Sequence, residues 1–380
     1  MESLQYVDGG STLYTTGADG AIIAWDLAGD RRVVSQIVHT DAGPLPVVSA
    51  VPSPDSSSIA YLYEPDERGD FGFFDVKSRE LSPLYDTKHG FVGWHDWTAD
   101  GRSVVTVGRE EPIARLWDPK TRALVAEQQL PFDSTSGSIG SRPDGESVFV
   151  GLHEPGGVAE LDAQTLQVIG KPMKFEKYVT NVDISPDGRT LAVAMFDESD
   201  STKNSVVLVD YATKKRRATL NNVDASWRLL FSPDGATLAA GGNNGLVTLI
   251  DPVKAVRIAT PLKGVDGPVS SAAFSPDGTL FATGSFDGTV ELWDLETRAR
   301  VARLTPGAPG RPTDVWFDSR GENMFAAADN GALWSLPSSP SDWASRACAI
   351  AGRNFSRSEW RELMGNRDYG VTCGDLPVPR

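Results

Sequence analysis

An aspartate returns along this chain at nearly constant spacing. It stands at Asp26, Asp75, Asp118, Asp162, Asp210, Asp251 and Asp294, with Ser335 in the eighth place, in steps of 49, 43, 44, 48, 41, 43 and 41 residues. A turn recurs in phase ahead of it: Pro54-Asp55, Ala99-Asp100-Gly101, Pro143-Asp144-Gly145, Pro186-Asp187-Gly188, Pro233-Asp234-Gly235 and Pro276-Asp277-Gly278. Val7-Asp8-Gly9 and Ser319-Arg320-Gly321 are weaker copies at the two ends. The clearest unit, residues 268–295, reads PVSSAAFSPDGTLFATGSFDGTVELWDL. Proline presets φ for a turn and glycine supplies positive φ, so its Pro-Asp-Gly and Asp-Gly steps separate three short strands. Alternating apolar and small residues suit strands that are buried on one face. One such sheet leaves its faces bare and must stack on others. A period of this size with several strands per unit predicts an all-β fold, a β-propeller.

The count of blades has two readings. Seven units of four strands and a last unit of three (313–317, 324–327 and 333–335) give about eight blades. The alternative takes residues 31–38 as the outer strand of the last blade and gives seven, leaving residues 2–27 over as strands with open edges. Economy favours eight; in a longer protein, residues 2–27 could instead finish a preceding propeller. The array spans 1–337, which overrides the two or three domains that 380 residues would otherwise suggest. Residues 338–380 read as a helical C-terminal tail packed on the propeller. Ser341 is placed to cap a helix over 342–351 ended by Gly352. The capping box Ser356-Arg357-Ser358-Glu359 opens a second helix to Met364, with Phe355 stapled on Trp360 and Gly365 as the stop.

Charge narrows the function. The formal net charge is −15 and the pI about 4.8. Nucleic-acid affinity rests on clustered Lys and Arg, so a nucleic-acid partner is not expected. No apolar run approaches the length that spans a bilayer, and no signal peptide precedes the first unit, so neither a membrane partner nor export is expected. The expected setting is cytoplasmic. Cys348 and Cys373 are the only cysteines. They can bridge, but a reducing cytosol favours two packed thiols.

The search for chemistry is mostly negative. The sequence has no phosphate loop, no Gly-x-Ser-x-Gly elbow and no His-Glu-x-x-His, so no catalytic residue and no cofactor is assigned. Neither cysteine lies in a Cys-x-x-Cys pair, and no metal site is assigned. His95-Asp96, between Trp94 and Trp97, could be an acid/base pair in the channel. The blander reading, core aromatics with one satisfied histidine, is preferred. The acidic insertions 64–70 and 197–200 carry enough oxygens for Ca²⁺ but lack the spaced Asp-x-Asp-x-Asp-Gly loop, which favours solvated surface.

Trp25-Asp26, Trp117-Asp118 and Trp293-Asp294, with FSPDG, LFATGS and DGTVELWDL over 274–295, resemble the WD-repeat family. The resemblance covers about 330 residues. It implies a propeller whose blades carry a His–Ser/Thr–Asp–Trp hydrogen-bond network. Gly264-Val265 replaces the family's Gly-His, and there are four histidines in all, so most blades lack that network. ACAIAGRNFSRSEWRELMG and the later Val371-Thr372-Cys373 resemble the tail of large actinobacterial regulators, which join such an array to a STAND-type NTPase, a Ser/Thr kinase or a transcription-regulator head. This implies a sensing or docking module of a signalling protein with an in-cis effector domain outside this chain.

By the same resemblance, the loops joining second to third strands, and fourth strands to the next blade, share one face. That gathers Glu64, Asp66, Glu67, Asp70, Arg109, His153, Asp197, Glu198 and Asp200 as partner-binding candidates. The partner expected is a protein or peptide with a basic surface. Three functional classes stay open: a non-catalytic interaction or sensing scaffold, which is preferred; a propeller enzyme of lactonase or hydrolase type; and a receptor holding a small ligand in the channel.

Overall fold

The structure, a computed structural model, describes residues 3–7, 12–16, 22–26, 35–38, 47–63, 70–78, 80–83, 92–108, 111–131, 138–153, 156–263, 267–304, 313–328, 333–374 and 376–379. Two compact units divide the chain, Gln36–Ser335 and the combination of Met1–Ser35 with Leu336–Arg380.

The larger unit is a ring of seven antiparallel blades. Six run consecutively over 47–81, 92–129, 139–174, 178–221, 228–263 and 269–304. The seventh takes Thr313–Phe317, Asn323–Ala328 and Leu333–Pro337, and then Ser35–Val38 as its fourth strand. In blade 5 two short strands, Val256–Arg257 and Leu262–Lys263, share the fourth position against Leu246–Asp251. Each first strand touches the first strand of the next blade, and the seventh, Thr313–Phe317, touches the first, Val47–Pro52. The all-β propeller therefore holds, and its blade count is seven. The eight-blade count is corrected because the strand missing from the last unit is supplied by the beginning of the chain. Ser3–Val7, Thr12–Thr16 and Ile22–Asp26 form a separate three-stranded sheet.

The recurring residues act as turn formers. In blade 6 the Ser275 hydroxyl donates to Asp277 at 2.6 Å and accepts the Leu280 N–H at 2.8 Å, while Gly278 takes φ +71°. The same serine or threonine geometry recurs at Ser53, Thr98, Ser185 and Ser232. The phased aspartates close third strands and accept backbone N–H groups of the next turn, as Asp294 does from Thr297 at 2.7 Å and Asp118 from Lys120 at 2.7 Å. Backbone hydrogen bonds from Thr297 hold the Asp294 carboxyl below the usual range. That anchoring tolerates left-handed backbone at Arg122, Leu166, Lys214, Ala255 and Arg298, all with φ between 54° and 60°.

The core lies between blades. Val206, Leu208, Leu220 and Ala192 of blade 4 pack with Leu229, Leu238 and Ile250 of blade 5. Each of the valine, leucine and isoleucine side chains, fully buried, contributes about 1.5–3 kcal/mol relative to exposure. The ring closes in the same way: Ala50, Ile59, Tyr61 and Phe74 of blade 1 pack against Trp316, Phe325 and Ala327 of blade 7.

In the smaller unit, α1 (Pro340–Ala351) starts from Ser339 rather than from the expected Ser341, because Pro340 suits the first helical position with its fixed φ and missing N–H. Gly352 ends it in the left-handed region. The capping box of α2 (Arg357–Met364) forms as expected, and the Phe355 and Trp360 rings meet edge to face at 6.3 Å. Cys348 and Cys373 are joined as a disulfide, against the preferred reading of two thiols. The cause lies in packing: Asn354, 1% exposed, accepts from the Thr372 and Cys373 N–H groups and donates to the Cys373 and Leu376 carbonyls. This pins the segment that carries Cys373 within reach of α1.

Candidate interaction face

In an antiparallel meander, second-to-third loops and fourth-to-first loops lie at the same end. On blades 3 to 6 the described residues at that end are 153, 156, 175–177, 197–204, 222–227, 242–245 and 286–289. They are tied to one another through side chains.

Asp224 is the hub. Its carboxylate accepts the Ser226 hydroxyl and the Ser226 N–H within its own loop. It accepts the side-chain amide of Asn204 from blade 4 at 3.2 Å and the Asn243 N–H from blade 5 at 2.8 Å. Asn204 is 1% exposed, and its side-chain oxygen accepts the Asp197 N–H at 2.9 Å. Gly242 is required here, since a Cβ at that position would lie 2.2 Å from Asp224 Cγ. Asn243 then accepts the indole N–H of Trp227 at 2.6 Å, and the Trp227 ring stands edge to face on Phe286 with centroids 4.6 Å apart. Trp227 nonetheless remains 42% exposed.

A second aromatic pair lies on blades 3 and 4. His153 stacks on Tyr178 at 4.0 Å between centroids, and the Tyr178 hydroxyl donates to Glu198 at 3.2 Å. Lys177 pairs with Asp197 at 3.2 Å and donates to the Lys203 carbonyl at 2.6 Å. Hydrogen bonds from Ser199 and then Lys177 hold the Asp197 carboxyl down at about 2. Asp200 caps the short 3₁₀ turn Ser201–Lys203 and is held below its usual range first by the Thr202 hydroxyl.

These loops bring four of the partner-binding candidates, His153, Asp197, Glu198 and Asp200, to one end of neighbouring blades. Asp70 opens the strand Asp70–Asp75, its side chain outside the described residues. Glu64, Asp66, Glu67 and Arg109 also lie outside the described residues. Sequence reading missed Asp224, Trp227, Asn243 and Phe286. The one available signal was a bulky aromatic in a polar loop, Val223-Asp224-Ala225-Ser226-Trp227.

The channel is lined by first strands whose polar side chains knit blade to blade. Ser138 exchanges hydrogen bonds with the Val182 N–H and carbonyl, Ser271 accepts the Val315 N–H, and Asp314 accepts the Ala50 N–H at 2.7 Å. Asp183 reaches the Phe231 N–H at 2.7 Å, and Arg228 pairs with Asp314 at 3.1 Å. Burial pushes both Asp96 and Asp183 up to about 7; backbone hydrogen bonds from Trp97 and from Phe231 oppose it. His95 and Asp96 do not form a dyad. Adjacent strand residues point to opposite faces, and the His95 ring donates instead to the Ala60 carbonyl of blade 1 at 3.1 Å. Among the described residues no group of three or more His, Cys, Asp or Glu could hold a metal ion, and no helix is long and apolar enough to cross a membrane.

Residues 257–294 match the WD40 family, described as WD domain, G-beta repeat. With the seven-bladed ring, this supports a WD-repeat propeller, a fold that generally mediates protein–protein interaction. No curated protein matches the chain. Among solved structures the chain is similar to Kuenenia stuttgartiensis hydrazine synthase, at 18% identity and a TM-score of 0.65, over 78% of this chain and 96% of that one. That neighbour is an enzyme on a propeller; at this identity the likeness concerns the fold alone.

Proposed function

We propose that the chain is a non-catalytic docking module that holds a protein or peptide partner on the loop face of blades 3 to 6. The observation that carries this reading is the Asp224 hub, which fixes three loops in one arrangement while leaving aromatic and acidic side chains in solvent. A rigid scaffold presenting loops of fixed shape suits recognition. The channel supports the same reading, because Arg228, Asp314, Asp183, Ser138 and Ser271 are engaged in holding blades together rather than converging on a substrate.

The partner is basic. The face carries Glu176, Asp197, Glu198, Asp200, Asp224 and Asp287 against Lys177 and Lys203, and both lysines are already paired, with Asp197 and Asp200. Glu64, Asp66, Glu67 and Asp70 of blade 1 are proposed to extend the same acidic character, with Arg109 at the neighbouring loop. The resemblance of the tail extends the proposal: the module belongs to a bacterial signalling protein whose effector domain is joined in cis. An immunoblot of the natural product tests that extension, since a band near 40.8 kDa would sink it. A cytoplasmic setting would keep Cys348 and Cys373 reduced, so their state in the cell reports the compartment.

The docking reading is tested by association kinetics with a captured partner at low salt. Charge reversal at Glu198 and Asp200 slows association about tenfold or more, and because Asp200 caps the turn Ser201–Lys203, the rates are measured below the variant's own unfolding temperature. Unchanged rates for that variant would refute an electrostatic docking face.

A further inference from the structure

The docking reading leaves open what chemistry the face selects, and the inference here rests on it. Trp227 is the most exposed large aromatic side chain among the described residues, at 42%, yet both its ring and its backbone have partners. Its indole N–H is satisfied by Asn243, its ring abuts Phe286, and its backbone N–H donates to the Gly241 carbonyl at 3.2 Å. Asn243 is itself fixed by Asp224, which also orders Ser226 and Asn204. A tryptophan exposed by chance has no need of such support.

The surroundings are anionic. Asp224 lies three residues before Trp227 in the same loop, and Asp287 follows Phe286 directly. Partial burial opposes ionisation of Asp287, but hydrogen bonds from Thr289 and Ser285, together with the nearby Arg303 charge, outweigh it and hold its carboxyl below the usual range, so it is charged at neutral pH. The electron-rich face of an indole attracts a cation, and adjacent carboxylates add a second attraction of the same sign. A planar guanidinium fits both, because it can lie on the ring and direct its N–H groups sideways at carboxylates.

We propose that Trp227, Phe286 and Asp287 form a recognition pocket for an arginine side chain carried on an extended segment of the partner. A second copy of this chain is a poor occupant, since its net charge is −15. A single-stranded nucleic acid could stack on Trp227, but its phosphates would meet the carboxylates of the face.

The test uses fluorescein-labelled acetyl-Ala-Arg-Ala-Arg-Ala amide, its citrulline counterpart and an oligo(dT) decamer, titrated against the full chain by fluorescence anisotropy. Citrulline keeps the shape and removes the charge. The arginine peptide binds, the citrulline peptide binds at least about tenfold more weakly, and Trp227→Ala weakens arginine-peptide binding by a similar factor at an unchanged melting temperature. Trp227→Phe keeps an intermediate affinity, and Asn243→Ala, which frees the indole, weakens binding with the ring still present. Equal binding of the two peptides, or tighter binding of the oligonucleotide, overturns the pocket. If Trp227→Ala binds as the parent does while charge reversal at Glu198 and Asp200 abolishes binding, the pocket is overturned and the docking face stands. If the parent binds no arginine peptide, the pocket is again overturned, and the docking face is judged by its own association rates.

Discussion

Asn243 joins Trp227 to Asp224: its side-chain oxygen accepts the indole N–H at 2.6 Å, and its backbone N–H donates to the aspartate at 2.8 Å. One asparagine thus couples an exposed ring to the carboxylate that gathers loops from blades 4 and 5. Replacing Asp224 by alanine leaves the buried Asn204 amide with the Ser226 hydroxyl at 3.3 Å as its remaining acceptor and releases the Ser226 and Asn243 N–H groups from the carboxylate. The expected loss of stability is about 2–4 kcal/mol, with Asp224→Asn losing less because an acceptor remains. Urea unfolding measures it, and an unchanged midpoint for Asp224→Ala would contradict the hub.

Gly156 faces backbone rather than a side chain. A Cβ there would lie 1.8 Å from the Lys177 carbonyl oxygen, which cannot swing aside. Gly156→Ala should therefore cost about 2–3 kcal/mol, in the range of an overpacked core. Gly374→Ala serves as the control, since nothing lies within 4 Å of that position. Equal melting temperatures for the two variants would show that Gly156 is not packed against residues 175–177 as described.

The channel carboxylates predict a pH dependence. Burial raises Asp96 to about 7, so the folded protein binds this proton more tightly than the unfolded chain does. Its contribution to stability is complete below the unfolded value near 4 and is lost as pH rises through about 7. Asp96→Asn should match the parent near pH 4, exceed it increasingly as pH rises, and lead at pH 8 by roughly 1–3 kcal/mol given the half-buried position of the site. Melting curves at pH 4 and pH 8 decide it; a difference that does not grow with pH refutes the assignment. Asp197 runs the other way, its contribution present above the usual carboxylate value and lost on acidification toward 2.

Closure of the ring by Ser35–Val38 separates two truncations. Removal of residues 1–27 leaves the closing strand and should preserve cooperative unfolding of the propeller. Removal of residues 1–38 uncovers the edge of Leu333–Pro337 and should give an aggregating or non-cooperative protein. Differential scanning calorimetry distinguishes them, and like behaviour of the two would reject the seven-blade closure.

Thiol titration addresses the tail. In denaturant without reductant no free thiol should be found, and two should be found after reduction. A closed loop of this size is worth about 3–4 kcal/mol in the chain-entropy account. Reduction should therefore loosen the segment around Asn354, seen as faster amide exchange at Thr372 and Cys373, with the propeller unaffected.

The turns were legible in the sequence because their chemistry is local. Ser275, Asp277 and Gly278 specify one another within four positions, and Asp294 bonds its own turn. Periodicity carried the blades for the same reason. The closing strand was readable only as an alternative, since Ser35–Val38 finds its neighbour at the far end of the chain. Asp224 and Trp227 gave no signal beyond a bulky aromatic in a polar loop, because their partners Asn204, Asn243 and Phe286 come from other loops and follow no period. The His95-Asp96 pair follows the preferred reading of core aromatics with one satisfied histidine: neighbours in sequence, the two are sent to opposite faces by the strand, and His95 is bonded to the Ala60 carbonyl. The acidic insertion 197–204 was legible as a surface loop, but its clamp by Lys177 required the fourth-to-first loop of the preceding blade to be in place.

The strand Ser35–Val38 is made early and used last. Its neighbour in the seventh blade, Leu333–Pro337, leaves the ribosome about 295 residues later, an interval of roughly 15–60 s at about 5–20 residues per second. Throughout that time the strand has no place to go, while the six consecutive blades can already stack on one another. A nascent chain must therefore carry an unpaired edge-former while the six intervening blades are made, and closure of the ring is a rendezvous between two distant segments rather than the completion of a last local unit. Slow translation or a stalled ribosome before Leu333–Pro337 has emerged should accordingly yield open, sticky arcs, and holdase chaperones would be needed most at that point.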